Sequence, residues 1–526
     1  MPFRRSIRPW TPFVPVLLAC SLSAQQNDVV LERDHYLDLE RNAACIGARY
    51  HTGLKPVIES RADLTGVMGY RKDTTRRYYW LTELLFRRHL LVFNKGDVHL
   101  RADPMFSLEL GQDFRDQTEF SDTTRFYQNT RGFWVSGDIG PRVSFQTAFH
   151  ENQALYPQYL YIFTKNAGVA PGQGRVKPFN GRAYDFGWAT GNVSWSPRGW
   201  LNVQLGQGKQ FVGHGYRSMI LSDNSSPFPY LKFSALLWEQ RLQYTTTYAR
   251  LQMLERLSTG SEGEQLFYWK RATFDHLSLS LGRVEVALFE GTIWRDIDQN
   301  GVRPFNALEM NPVLGINTLV NGFRGDAKEV LGLDLRVKLT NAMYVYGQAV
   351  TDDPGNARFG WQGGVRWFDL FHQDLHLQLE YDQARPFLYA HRYPLVNYAH
   401  QAQPLAHPFG AYFNEAVAIL EARIKGHVLL QGKLNVGTYH LDSSSTENHG
   451  GDIFAADDEM GTNDGILKRQ LVFLDLNASY LLNQMYDLRF TVGYMMRDLT
   501  PAPDQLNSGY LYFALRTPIF NRYYDF

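Results

Sequence analysis

The groups best equipped to recognise a ligand gather in one irregular stretch. Between Leu205 and Phe233 (LGQGKQFVGHGYRSMILSDNSSPFPYLKF) stand His214, Tyr216, Arg217, Asp223, Asn224 and Tyr230, next to Phe228. Polar groups converging beside an aromatic face are what a sugar site needs: hydroxyls exchange hydrogen bonds with the first, and a ring face stacks on the second. The competing reading is structural. Arg217 and Asp223 would then lock the stretch onto counter-charges such as Arg336 or Glu380, because buried charges need partners. A second irregular stretch supplies His400 and His407, near Asn397. Two histidines at this spacing could ligate a metal, but no nearby Asp or Cys completes a set. Loop packing is their plainer role, and as ligand contacts they would join the glycan-binding group.

Asp296, Asp298 and Asn300, followed by Gly301, match the first half of a calcium loop. Position twelve, where a bidentate Glu is required, is Ala307, and Glu309 comes two residues late. A weak external calcium site and a plain Asx-rich turn both fit these residues. No other cofactor is indicated. Gly206-Gln207-Gly208-Lys209 lacks the spacing of a phosphate-binding loop and has no Ser or Thr after the lysine. No G-x-S-x-G nucleophile elbow occurs, and nothing in the sequence argues for an enzyme. Asp452, Asp457, Asp458, Glu459 and Asp464 read as a solvated acidic loop.

The elements that hold these stretches are read from periodicity. Leu331, Leu333, Leu335, Val337 and Leu339 alternate with Gly332, Asp334, Arg336 and Lys338, and the same period of two runs through 375–382, 428–436, 474–482 and 486–496. Successive strand residues point to opposite faces, so one face is apolar and the other carries ionised groups. Many segments reach ten residues or more, longer than the usual globular strand. Short connections near 140, 197, 240, 282, 341, 371, 426 and 483 alternate with long ones between them, which counts to about eighteen strands. Long antiparallel strands joined alternately by tight turns and long loops are the pattern of an outer-membrane barrel, closed because no backbone group can go unpaired in lipid. The expected fold is therefore all-β: a transmembrane antiparallel β-barrel over 101–526, with a small, partly helical N-terminal periplasmic plug over 25–100. Within that plug, Thr74–Leu90 carries Leu81, Leu84 and Leu85 at helical spacing, ahead of Arg87 and Arg88, and reads as one amphipathic helix.

Residues 1–24 read as a signal peptide: Arg4, Arg5 and Arg8, an apolar run to Leu22, and a small-residue site at Leu22-Ser23-Ala24. A lipoprotein signal acylated at Cys20 is the second reading. Without these residues 50 basic side chains face 53 acidic ones, which excludes a strongly basic nucleic-acid binder. Only Cys45 would then remain, so no internal disulfide or cysteine-based zinc site is possible.

Two loops and the tail resemble the capsule-assembly Wzi family, and more closely its Bacteroidetes branch with gliding-motility RemB-like proteins. The matching stretches are GQGKQFVGHGYRSMILSDNSSPFPYLKF, NYAHQAQPLAHPFGAYFNEAV (397–417), TIWRDIDQNGVRPFNALEMNPV (292–313) and the C-terminal LRTPIFNRYYDF. The resemblance implies an eighteen-stranded barrel with an occluded lumen and a non-enzymatic role in surface polysaccharide attachment or assembly; the gliding branch implies adhesion or motility. Its partners would be outer-membrane lipid, surface polysaccharide and the barrel-assembly machinery. A porin-like solute channel is the remaining alternative. Two fillers are expected in the lumen: the 208–230 loop and the 74–90 helix, with Arg87 and Arg88 meeting Asp475 and Asp487.

Overall fold

The computed structural model describes residues 26–64, 67, 79–256, 267–298, 301–443, 448–457, 465–501, 506–517 and 520–526. Among them, eighteen strands form one closed antiparallel barrel. They are β1 (Val98–Asp113), β2 (Phe126–Ile139), β3 (Val143–Leu155), β4 (Ala183–Arg198), β5 (Leu201–Gly208), β6 (Phe228–Leu237), β7 (Leu242–Arg256), β8 (Phe267–Ser280) and β9 (Val284–Arg295). The circuit continues through β10 (Lys328–Lys338), β11 (Met343–Asp353), β12 (Arg358–Trp367), β13 (Leu375–Ala384), β14 (Phe413–Ile424), β15 (Val428–Asp442), β16 (Ile466–Asn483), β17 (Leu488–Thr500) and β18 (Ser508–Arg516). β18 closes on β1 in a ladder from Tyr510↔Asp113 to Arg516↔Ser107. No sheet edge is left open along this circuit, which is what hydrocarbon surroundings demand.

The alternation read from the sequence is turned inside out relative to a soluble sandwich. On β10, Arg336 and Lys338 are buried in the lumen, while Leu333 on the opposite face is 43% exposed. Leu288, Leu379, Leu420, Leu476 and Phe513 continue this exposed apolar belt around the wall. Burying so many charges is tolerable only if each meets a partner. Arg336 meets Glu285 on the neighbouring strand, and several other partners come from the N-terminal segment.

Residues 26–64 thread the lumen, and helix α1 (Arg33–Ala44) is their centre. Arg33 meets Glu421 at 2.7 Å, Arg41 meets Asp374 at 2.8 Å and Asp38 meets Arg423 at 2.9 Å. Glu40 lies between Lys55 (2.6 Å) and Arg366, and Asp34 meets Arg489. Burial alone would raise the Glu40 carboxyl, but Arg366 and Lys55 hold it at about 2. Leu54 and Lys55 add a two-residue strand to Phe211 and Val212, joining the plug to the long loop after β5.

The expected filler over 74–90 is corrected. Residues 74–78 lie outside the described residues, and the helix seen is α2 (Trp80–Phe86), none of whose residues is buried. It sits at the short-turn end, where the Asn483 side-chain amide donates to the Leu85 carbonyl at 3.0 Å. Asp487, one of the two carboxylates expected to meet Arg87 and Arg88, pairs with Arg489 instead. The sheet also begins before residue 101: Leu91–Lys95 pairs with the start of β1.

Two further segments fill the lumen. The 385–412 loop buries Leu388, Tyr389, Val396, Tyr398 and Leu405 in one apolar cluster with Val212, Met219, Ile220 and Leu221. Beyond Arg516 the chain turns back inside, burying Tyr523, Tyr524 and Asp525. Helix α3 (Gln158–Ala167) caps this tail, with Phe163 against Phe526 at a ring separation of 4.7 Å.

Candidate functional site

The loop between β5 and β6 lies wholly inside the barrel, and its backbone is tied to the wall. Glu380 on β13 accepts the Tyr216 and Arg217 N–H groups at 2.7 and 2.8 Å. Gln348 on β11 accepts the Met219 N–H at 2.8 Å and donates to the Val212 carbonyl at 2.8 Å. Gly213 is needed here for a specific reason. Its φ is +135°, and a Cβ on it would lie 2.3 Å from the Gln348 side chain.

All eight candidate glycan-binding residues are buried, but the structure unites only some of them. Arg217 is the hub. Its Nε donates to Glu415 at 3.0 Å, its Nη2 to the second Glu415 oxygen at 3.1 Å, and Nη2 also lies 3.1 Å from Asp525 Oδ1. Tyr216 donates its hydroxyl to the other Asp525 oxygen at 2.7 Å, and Lys433 completes that carboxylate at 2.8 Å. His407 joins the hub through Glu415 at 2.9 Å. Burial would raise the Asp525 carboxyl, but Arg217 and Lys433 hold it well below the usual carboxylate range.

The other five are dispersed. Asp223 accepts from Tyr523 (2.7 Å) and Asn521 (2.9 Å), so it holds the C-terminal tail. Asn224 donates to the Pro404 carbonyl at 3.2 Å. His214 stands 3.3 Å from Asp334. His400 accepts the Gln252 N–H at 2.9 Å, and burial pushes its imidazole down to about 3. Tyr230 lies in β6 and receives the Asn192 amide at 3.4 Å. Glu380 had been named from the sequence as a counter-charge for this stretch, and it holds the Arg217 backbone N–H; Glu415, Asp525 and Lys433 were not singled out as its partners. The sequence motifs around 415 and 525 contain Glu415 and Asp525, but nothing local indicates that they meet Arg217.

Three carboxylate and imidazole groups, from Asp382, His407 and Glu415, place ligand atoms within 4.8 Å of one another. The His407 ring is nevertheless committed. Its Nδ1 accepts the Phe409 N–H at 3.2 Å, so its proton sits on Nε2 and is donated to Glu415. Neither nitrogen then offers a lone pair to a cation. The proposed calcium loop is also occupied from within: Asp296 is held by Arg250 (2.9 Å) and Arg271 (3.1 Å). The Asp298 side chain and Asn300 lie outside the described residues.

An aromatic recess of ≈ 170 Å³ lies between residues 28–31 of the plug and the wall of β1 to β5. Trp134, Trp188, Phe520 and Tyr230 line it, and His150 stacks on Trp188 at 3.8 Å and 22°. Of the eight sequence candidates, only Tyr230 borders it. Three of its charged neighbours are held by the protein, Asp28 by Asn192 and Gln204, Asp103 by His89, and Lys209 by the Asp223 carbonyl, and Arg101 stands 4.0 Å from Glu59. Burial moves the Lys209 ammonium down to about 8. Among the polar atoms that line it, four neutral ones have no hydrogen-bond partner within the protein: His150 Nδ1, Trp188 Nε1, Asn192 Oδ1 and Gln146 Oε1. Neutral donors and acceptors set beside aromatic faces suit a hydroxyl-rich ring.

No family model matches the sequence, and no curated protein matches it. Solved structures do resemble it. Wzi of Escherichia coli, described as an outer-membrane protein involved in group 1 capsule assembly and a carbohydrate-binding β-barrel, matches at 14% identity and a TM-score of 0.52, over 94% of this chain and 100% of that one. A BenF-like porin from Pseudomonas fluorescens Pf-5 matches at 8% identity over 80% of this chain and 98% of its own, with a TM-score of 0.45. OpdK of Pseudomonas aeruginosa, solved with vanillate, matches at 8% identity over the same shares, with a TM-score of 0.44. The fold of this chain is that of a Wzi-like outer-membrane β-barrel.

Proposed function

We propose that this chain is a plugged outer-membrane barrel that binds surface polysaccharide and takes part in its attachment or assembly, without catalysing a reaction. The observation that carries this reading is the filled lumen. The N-terminal plug, the loop after β5, the 385–412 loop and the C-terminal tail are cross-linked there by buried ion pairs and one apolar cluster. An eighteen-stranded barrel is otherwise wide enough for an aqueous channel. A solute channel has no use for Met219, Ile220 and Leu388 at its centre. The aromatic cavity beside the plug, with its unpartnered neutral donors and acceptors, supports a sugar as the ligand. The likeness to a carbohydrate-binding barrel supports the same class.

In this reading residues 1–24 direct export, the barrel-assembly machinery inserts the chain, the plug and short turns face the periplasm, and the long loops face outward. The sequence resemblance over 292–313 supports a second, finer reading: a gliding or adhesion accessory of the Bacteroidetes branch.

Conductance in planar bilayers tests the plug. The intact protein carries no steady current, removal of 26–64 raises it modestly, and further removal of 209–227 opens a large channel. Porin-like current from the intact protein overturns the proposal. A deletion strain separates the two biological readings: shed polysaccharide marks attachment or assembly, whereas lost surface spreading with normal cell-bound glycan marks motility.

A further inference from the structure

The outer wall breaks its own rule on four neighbouring strands. Near the short turns, the outward positions of β8, β9 and β10 include Leu277, Leu288 and Leu335. Above them the outward positions of β7 to β10 include Thr246, Asp275, Glu290, Thr292 and Glu329. The registers Thr246↔Asp275, Asp275↔Glu290 and Thr292↔Glu329 place these in one continuous patch. Carboxylates aimed at hydrocarbon are costly. Here they are covered, because the loop between β9 and β10 leaves the rim and lies down over the outer wall, carrying the short helix α4 (Ile316–Asn321).

The patch satisfies the backbone of that loop. The Tyr248 hydroxyl donates to the Met310 carbonyl at 2.9 Å. The Tyr244 hydroxyl donates to the Pro312 carbonyl and accepts the Leu314 N–H at 3.0 Å. Glu290 accepts the Gly315 and Thr318 N–H groups at 2.6 and 2.8 Å, and the Thr318 hydroxyl at 2.6 Å. Glu329 accepts from Thr292 at 2.6 Å and from the Asn321 amide at 2.7 Å. The far side of the loop is apolar: Leu319 is 81% and Val320 61% exposed, with Val313 and Met310 beside them. From Met310 to Gly322 (MNPVLGINTLVNG) there is no ionisable side chain. The flanking charges are paired onto the barrel, Glu309 to Arg271 and Arg324 to Asp353.

We propose that residues 310–322 form a strap immersed in lipid acyl chains, and that the polar patch beneath exists to satisfy its backbone. Irregular backbone survives in hydrocarbon only where other groups complete its hydrogen bonds. This wall supplies them from outward tyrosine and glutamate side chains. The exposed side of the strap is continuous with the apolar belt at Leu288 and Leu333, which favours the surroundings of that belt over a separate protein partner. The inference rests on the outer-membrane reading of the barrel.

Nitroxide labels test it. In a C20S/C45S background, single labels at Leu319→Cys, Phe513→Cys and Ser443→Cys are read in dioleoylphosphatidylcholine vesicles against oxygen and a water-soluble nickel chelate. Phe513 reports the far wall of the belt, and Ser443 reports a long loop. The expected result is that 319 matches 513: accessible to oxygen and shielded from nickel. A label at 319 that behaves like 443 overturns the strap. A label shielded from both reagents also overturns it, in favour of a second copy covering the face. Nickel access at 513 itself would instead refute the membrane reading of the barrel, a failure distinct from that of the strap.

Discussion

Replacing Arg217 by Met keeps the length of the side chain and removes its charge. The guanidinium makes four contacts of 3.0–3.1 Å, two to Glu415 and two to Asp525, counting the Asp525 carbonyl. One such pair at ~4 Å is worth about 4 kcal/mol at an effective dielectric of ~20, but burial of both charges has already spent much of that. What the variant reveals is the cost of leaving carboxylates buried without their partner, about 3–5 kcal/mol. Divided by about 1.4 kcal/mol per decade, this predicts that the lock opens between about 10²- and about 4 × 10³-fold more often. Native-state hydrogen exchange of peptides covering 209–227 and 520–526 measures that opening directly. Acid adds a second signature. The Asp525 carboxyl is held low in the folded protein, so its contribution is present above the unfolded value of about 3.9 and is lost as pH falls through the folded value. Without Arg217 the depression is smaller, so the variant loses protection at a higher pH than the wild type. Adding Glu415→Gln to Arg217→Met recovers part of the loss. Exchange unchanged in the Arg217→Met variant, or additive losses in the double variant, would refute the buried lock.

The remaining predictions are simpler perturbations. Gly213→Ala places a Cβ into Gln348 at positive φ and accelerates exchange of the 209–227 peptide, while heat-modifiable migration of the barrel stays unchanged. Trp188→Ala removes one wall of the aromatic cavity and weakens binding of purified surface oligosaccharide by up to about tenfold in calorimetry, the worth of one aromatic contact; an unchanged affinity locates the sugar elsewhere. Glu40→Gln leaves Arg366 and Lys55 without their shared carboxylate and makes residues 26–64 sensitive to added protease, whereas full resistance would show that other pairs hold the plug. A tag inserted after Ser443 is labelled on intact cells and one at Asn483 is not; the reverse pattern would invert the orientation.

The barrel was legible in the sequence because its signal is local and repeated. A period of two over ten residues, tight turns alternating with long loops, and ionised groups on a single face are each set by neighbouring residues. They require closure as soon as the apolar face meets lipid. The sequence also marked the loop after β5 as folded inward, since Phe211, Met219, Ile220 and Leu221 cannot stay in water. The identity of the second filler lay beyond it. α1 (RDHYLDLERNAA) is rich in charge because the lumen around it is charged, so its apolar row of Tyr36, Leu39 and Ala43 does not stand out in the sequence, whereas the more apolar 80–86 segment (WLTELLF) stays at the periphery. The partners of Arg217 were equally invisible. Glu415 and Asp525 lie 198 and 308 residues away in sequence, and only closure of the ring and return of the tail bring them within 3.1 Å. Residue types and periodicity decide which surfaces must be buried. Which charge meets which is decided by the tertiary structure, because a lumen offers many possible counter-charges and only the folded register chooses among them.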